Sequence, residues 1–256
     1  MNDKPIRYSI VIPCYNERNR LPATLRSVIT HLQTRRPNSE IIIVDDGSGD
    51  GTIDWVRSQP ESGIPVRMIS YKPNHGKGYA VKAGMLAARG DYVLFMDADG
   101  ATDIEEAEKM WPWLESGQAD VVIGSRAMKA SQILTFQSPL RRLAGDLYGM
   151  FARLLVLRGI ADTQCGFKAF TRAATQAIFS SLTISSAIFD IEVLILATKQ
   201  HRRVCELPVV WHHDNDTRIA YNLRKSLLIS AELLTLKARH RIIWPLTIRP
   251  VRPETK

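Results

Sequence analysis

Three features of the 256-residue sequence predict an α/β protein built on a mainly parallel sheet. Short β-rich runs alternate with segments of helical spacing through the first half, which implies right-handed βαβ crossovers with helices on both faces. Most of the predicted strands end in acids, amides or glycines, and ligands in such sheets bind at the carboxyl ends of the strands. No internal repeat or low-complexity linker breaks the pattern, so one domain over residues 1–211 with a C-terminal extension over 212–256 is the simplest division.

The elements follow in order. YSIVIP (8–13) is a strand by its β-branched content and is followed by LPATLRSVITHLQ (21–33), a helix by its apolar spacing. EIIIVDD (40–46) precedes the helical GTIDWVRSQ (51–59), and VRMISY (66–71) precedes GYAVKAGMLAAR (78–89). YVLFMD (92–97) leads into DIEEAEKMWPWLE (103–115), and DVVIGS (120–125) is the fifth strand. The ends of these strands bring Pro13 to Glu17, Asp45 to Ser48, Asp97 to Gly100 and Gly124 to Arg126 to one rim.

Composition narrows the function classes. The net charge of +8 admits nucleic acid, an anionic membrane surface or a phosphorylated substrate without choosing among them. Aromatic residues are not interleaved with the basic ones as a single-strand binder requires, so no nucleic-acid partner is expected. Cys14, Cys165 and Cys205 show no CxxC spacing and cannot all pair within the chain, which fits a reducing cytosolic setting. The apolar stretch at the N-terminus is too short for a secretion signal, and no window approaches the roughly 18 apolar residues of a membrane span.

DYVLFMDADG (91–100) carries the sharpest chemical signal. Tyr92 to Met96 run into Asp97 and Asp99, and desolvating carboxylates beside an apolar run is costly unless a cation meets them. In an extended segment residues i and i+2 point the same way, so both acids can address one ligand, while Ala98 and Gly100 permit close approach. Hard oxygen ligands suit Mg²⁺ or Mn²⁺, and one or two carboxylates with open positions suit a metal bridging substrate phosphates. Asp-x-Asp by itself is also an ordinary acidic turn.

The other motifs are weaker one by one. VDDGSGDGT (44–52) alone is a tight turn, yet at the same rim its carboxylates can bond a base or ribose hydroxyls. NHGKGYAVKAG (74–84) is not a Walker motif, because Gly78 follows Lys77 where Ser or Thr is required. It is either a glycine-eased helix start or a cation brought beside the carboxylates. In GIADTQCGFKAFTR (159–172) and SSAIFDIEVL (185–194), Asp162 or Lys168 taken singly is a surface residue. Asp190 and Glu192 can be ordinary partners for nearby arginines, yet two acids inside AIFDIEVLILA are hard to explain as plain core, and function is expected there.

Taken together, IVIPCYNE, IIIVDDGSGDGT, NHGKGYAVKAG, FMDADG, VVIGSR, DTQCGFKAF and FDIE, in this order from about Tyr8 to about Trp211, resemble the family-2 glycosyltransferases. Their GT-A fold is a Rossmann-like, mainly parallel sheet flanked by helices. Within them the chain looks like the dolichyl/polyprenyl-phosphate β-glucosyltransferase branch, with the dolichyl-phosphate mannose synthases as cousins. The resemblance implies a nucleoside pocket lined by Pro13, Tyr15 and Glu17, with Asp46 contacting the base. It implies that Asp97 and Ala98 lie along the ribose and diphosphate, and that Asp99, with Asp97 beside it, holds the divalent metal. Lys77 and Arg126 would support the donor or the catalytic carboxylates, and Asp162, Gln164, Lys168, Asp190 and Glu192 would line the sugar and acceptor side. Ala101 stands where the mannose synthases carry glutamine, which leans the donor toward UDP-glucose over GDP-mannose.

The implied reaction is a metal-dependent, inverting transfer of a hexose to a polyprenyl phosphate. The acceptor is already anionic and needs positioning more than a general base. Arg126, Arg141, Arg142 and Lys168 are candidates for holding its phosphate, since cationic side chains, and guanidinium forks above all, match phosphate. Basic, apolar stretches at 138–159 and 218–246, with Trp244 beyond the second helical run, suit peripheral attachment to the cytoplasmic face of a membrane. Packing on the sheet or on another copy in a homo-oligomer is the plain alternative. The rival activities are transfer to a soluble or polysaccharide hydroxyl, which needs a placed base, and a sugar nucleotidyltransferase, for which no glycine- and arginine-rich N-terminal loop is present.

Overall fold

The structure, a computed structural model, describes residues 5–133, 157–212 and 223–251, with the backbone alone at 133 and over 223–230. Its strands are Tyr8–Cys14 (β1), Ser39–Asp45 (β2), Val66–Ser70 (β3), Tyr92–Met96 (β4), Val121–Ser125 (β5), Gln132–Ile133 (β6), Leu157–Arg158 (β7), Phe167–Thr171 (β8), Val204–Pro208 (β9), Val210–Trp211 (β10) and Leu246–Thr247 (β11). Seven of them form the central sheet in the order β3-β2-β1-β4-β8-β5-β9. Pairing is parallel throughout except at β8, which runs antiparallel between β4 and β5. The α-helices are Leu21–Arg35 (α1), Thr52–Arg57 (α2), Lys77–Ala87 (α3), Trp111–Glu115 (α4), Arg172–Ser181 (α5), Phe189–Lys199 (α6) and Leu223–Arg239 (α7).

Strand alternation sends successive residues to two cores. From β1, Ile10 and Ile12 join the layer of α1, whose Leu21, Leu25, Val28 and Leu32 are buried at helical spacing. Val11 joins the opposite layer with Val81 and Met85 of α3. That helix lies close to the sheet: a Cβ at Gly84 would meet Val11 Cγ1 at 2.3 Å. The same helix begins at Lys77.

The five predicted strands are present within about one residue of their expected ends. The predicted helix over 103–115 is instead a 3₁₀ stretch, Ile104–Lys109, followed by α4. Pro112 in the first turn of α4 has no N–H to continue a helix begun upstream, so a new one starts there. Strand β8 has no counterpart among the predicted elements, because Lys168 interrupts its apolar run.

Residues of the predicted C-terminal extension enter the core. Leu233 and Leu236 of α7, with Ile242 and Ile248 beyond it, pack in the same cluster as α5 and α6. Leu234, Ile243 and Trp244 are exposed instead. Residues 138–156, with Arg141 and Arg142, and residues 218–222 lie outside the described residues.

Candidate active site

The parallel strands all end at one rim, and the antiparallel β8 begins there. The loops after β1 and β2 are bonded together: Asp46 N–H donates to Cys14 O at 2.9 Å, Asn16 N–H to Ser48 Oγ at 2.8 Å and Glu17 N–H to Thr52 Oγ1 at 2.9 Å. Asn16 takes the left-handed φ of 56° that lets the chain turn back, a conformation asparagine tolerates. Pro13 is buried in β1, Tyr15 is 46% exposed, and Glu17 pairs with Arg20 at 2.5 Å.

Asp46 is buried, and both of its carboxylate oxygens accept backbone N–H groups, from His75 at 2.7 Å and Gly76 at 2.9 Å. Its visible task is therefore to pin the entry to α3. Gly76 holds φ +98° at that entry, which L side chains rarely adopt. With the entry fixed, Lys77 Nζ comes within 2.6 Å of Asp97 Oδ1. Burial alone would lower the lysine's pKa, but Asp97, Asp190 and Asp99 outweigh it and raise it, so the ammonium stays charged.

The two rim acids differ in their surroundings. Asp97 rests on the backbone of Gly166, where an added Cβ would meet its carboxylate at 2.2 to 2.7 Å. Asp99 Oδ1 accepts the N–H of Ala101 at 3.0 Å, and Ala98 O accepts Thr24 Oγ1 at 2.8 Å, which fixes the turn between the acids. The Asp99 carboxyl is pushed above its ordinary range, first by burial and then by Asp97, against Arg20 and Lys77. A divalent cation would relieve that crowding of like charge. Among the described residues no group of three or more His, Cys, Asp or Glu gathers to hold a metal. The chain thus offers two carboxylates, which fits a cation whose other ligands are phosphate oxygens and water.

Beneath the rim, Lys168 is fully buried, donates to Cys165 O at 2.7 Å and to Asp190 Oδ1, and lies 5.4 Å from the centre of the Phe95 ring. This corrects its expected place among the acceptor-phosphate ligands: a lysine with no exposed surface and a carboxylate partner does not meet a ligand phosphate. Burial raises the Asp190 carboxyl's pKa, opposed by Lys168 and Lys77, and Asp97 adds to the rise. Glu192 also departs from expectation. Two positions along a helix turn a side chain by about 200°, so while Asp190 faces Lys168, Glu192 faces Thr183 and His240.

Arg126 and Asp162 form a forked pair, with Nε to Oδ2 at 2.6 Å and NH2 to Oδ1 at 3.0 Å, and the guanidinium lies over Trp211 at 5.6 Å. Burial opposes ionisation of Asp162, but Arg126 outweighs it and holds the carboxyl below the ordinary range. Gln164 N–H also donates to Asp162, at 3.1 Å, and Glu206 holds the preceding loop through Ala161 N–H and Asp162 N–H. The structure therefore gathers Lys77, Asp97, Asp99 and Asp190 within electrostatic reach of one another and sets Arg126 and Asp162 alongside as a closed pair. Gly166, Arg20 and Glu206 were not expected at the site. A glycine in CGFKAF was the one readable hint, and nothing in its spacing ties it to Asp97. The thiol of Cys165, pushed up to about 12 by burial and then by Asp162, is no nucleophile.

Comparison with known proteins bears on the family and the fold. The family model described as glycosyl transferase family 2 matches residues 9–179. A Dictyostelium discoideum protein named dolichyl-phosphate beta-glucosyltransferase is 36% identical over 253 residues, covering 93% of this chain and 76% of the relative. Proteins of the same name from Saccharomyces cerevisiae, 35% identical over 92% of this chain and 75% of the relative, and from Homo sapiens, 36% identical over 82% and 68%, are similar too. Among solved structures, S. aureus TarS 1–349 in complex with UDP-GlcNAc superposes with a TM-score of 0.62 at 16% identity, over 93% of this chain and 67% of that one. M. tuberculosis glucosyl-3-phosphoglycerate synthase with Mn²⁺, UDP and phosphoglyceric acid does so with a TM-score of 0.58 at 18% identity, over 93% and 79%. At such identities these two structures speak for the fold alone.

Proposed function

The chain belongs to glycosyl transferase family 2, and from that premise we propose that it moves glucose from UDP-glucose to a polyprenyl phosphate of the dolichyl type. The observation that carries the donor half is the pair Asp97 and Asp99 at the sheet rim, with Lys77 2.6 Å from the first of them. The names of the relatives at 33 to 37% identity support the acceptor half.

In this reading Asp99, with Asp97 beside it, holds Mg²⁺ or Mn²⁺. The bound cation supplies Lewis-acid stabilisation of the charge that grows on the departing nucleoside diphosphate. Lys77 fixes the direction of Asp97, and Arg20 adds positive charge near Asp99. Pro13, Tyr15 and Glu17 flank the nucleoside, and Asp46 shapes that pocket through the loop it pins. The acceptor phosphate needs no deprotonation at neutral pH, so the site requires orientation and fixed positive charge at the attacking oxygen. Arg126, held in one direction by Asp162 and, unlike Lys168, with 32% of its side chain exposed, offers guanidinium N–H donors there, and Arg141 and Arg142 are its proposed companions. Displacement by that oxygen inverts the anomeric carbon.

The lipid acceptor requires access to a bilayer. No helix among the described residues is long and apolar enough to cross one. Ile243 and Trp244 are each 81% exposed, with Leu234 also exposed and Arg239 and Arg241 flanking them, which supports peripheral attachment at an anionic interface. The test is a donor screen with Mg²⁺ or Mn²⁺ and a short polyprenyl phosphate in detergent, read by mass spectrometry. Polyprenyl-phosphate glucose from UDP-glucose is expected. Donor hydrolysis without glycolipid would refute the acceptor and point to a hydroxyl.

A further inference from the structure

Glu192 is fully buried and its carboxylate is met by four donors. Thr183 N–H at 2.9 Å and Ile184 N–H at 2.7 Å reach Oε2, and Thr183 Oγ1 at 2.7 Å and His240 Nε2 at 2.9 Å reach Oε1. A buried carboxylate so fully satisfied fixes whatever donates to it, and removing it leaves two backbone N–H groups without an acceptor. What it fixes is the loop from Leu182 to Ile188.

That loop lies directly on the first turn of α3. Ser185 O accepts the N–H of Gly78 at 2.8 Å, and Lys82 Nζ donates to Leu182 O at 2.7 Å. A Cβ at Gly76 would stand 2.5 Å from Ser185 O, and one at Gly78 would stand 2.5 Å from Ile184 O. The backbones therefore touch, and a shift of the loop must move the turn. Between those two glycines is Lys77, whose Nζ is 2.6 Å from Asp97. On its other side the loop is tied to the C-terminal helix: Ser186 Oγ donates to Glu232 at 2.9 Å and Arg239 donates to Thr183 Oγ1.

We propose that Glu192 is a positioning residue, which holds the 183–186 loop against the start of α3 and so sets Lys77 on Asp97, and that through His240 the C-terminal segment shares this support. Glu192 touches no reacting atom; it acts through Thr183, Ile184 and Ser185. The proposal rests on the reading of Asp97 and Asp99 as the donor site.

Amide hydrogen exchange in the full chain, followed over residues 75–81, tests it together with Mn²⁺–UDP binding and donor kinetics. In Glu192→Ala, exchange over 75–81 is expected to rise at least tenfold, and kcat/KM for the donor, measured on folded protein, to fall at least tenfold. Glu192→Gln keeps a carbonyl oxygen for the two backbone N–H groups and is expected to recover most of both. A merely structural role lowers the melting temperature while exchange over 75–81, the Kd for Mn²⁺–UDP and the donor KM stay as in the wild type, and that result overturns the proposal. If Glu192→Ala does not fold, Thr183→Val removes one donor at an exposed residue and is expected to raise the same exchange by a smaller factor; no rise overturns the proposal equally. Exchange and Mn²⁺–UDP binding need no acceptor, so a wild type that makes no glycolipid refutes the lipid acceptor and leaves this test readable.

Discussion

Gly166→Ala separates the site from the fold. Gly166 does not use the left-handed region, so alanine is compatible with its backbone, but the new Cβ would lie 2.2 Å from Asp97 Oδ2, 2.5 Å from Cγ and 2.7 Å from Oδ1. Ordinary contact begins at 3.4 Å, so the carboxylate must retreat by about 1.2 Å. Because the obstacle is the end of a side chain, the fold escapes with an off-rotamer Asp97, a cost of about 1 kcal/mol, and a melting-temperature change of about 2–4 °C for a chain this size. The site does not escape, since the displaced carboxylate leaves both Lys77 and its place beside Asp99. A misplacement of about 1 Å costs on the order of 100-fold in rate, or about 2.7 kcal/mol. Initial rates over a range of UDP-glucose concentrations, with Mn²⁺–UDP binding and a thermal melt, measure all three quantities. Near-normal kcat/KM at an unchanged melting temperature would refute the placement of Asp97 in the site, and a collapse of the melting temperature would make Gly166 a core residue instead.

Asp99→Ala is expected to abolish metal-dependent turnover and Mn²⁺-dependent UDP binding while the melting temperature holds; retained turnover at saturating donor would remove the metal role. Lys168→Met strands Asp190 in the interior and should destabilise by about 3–5 kcal/mol in urea melts, with Asp190→Asn added to it recovering most of the loss; a single variant as stable as the wild type would contradict the buried pair. For pH, the Asp162 carboxyl is held below its ordinary range by Arg126, so its stabilisation is complete above the unfolded value of about 3.9 and is lost as pH falls through the lower folded value. The stability gap between wild type and Asp162→Asn should therefore be widest at neutral pH and narrow in acid, and a gap constant from pH 7 to 3 would exclude an ionised Asp162. Ile243→Ser with Trp244→Ala should weaken binding to anionic vesicles without changing turnover of detergent-presented acceptor; equal partitioning would remove that face from the membrane.

What the sequence determined by itself is the local pattern and its order. Alternating strand and helix segments are written in spacings of two and 3.6, and the acids at the strand ends follow apolar runs in the same stretch of chain, so the sheet, its rim and the Asp97–Asp99 pair were legible. Strand β8 was not, because a lysine buried by a partner 22 residues away looks like a surface residue until that partner is placed. Nor was the parting of Asp190 from Glu192, which a helix sends to opposite sides and a strand would have kept together. Gly166 under Asp97, 69 positions apart, and the loop from Leu182 to Ile188 between α3 and α7 are contacts between segments whose own periodicity carries no trace of the other. Tertiary packing alone decided them, since burial and charge pairing depend on which distant groups exclude water from a side chain, and that exclusion exists only once the layers have closed.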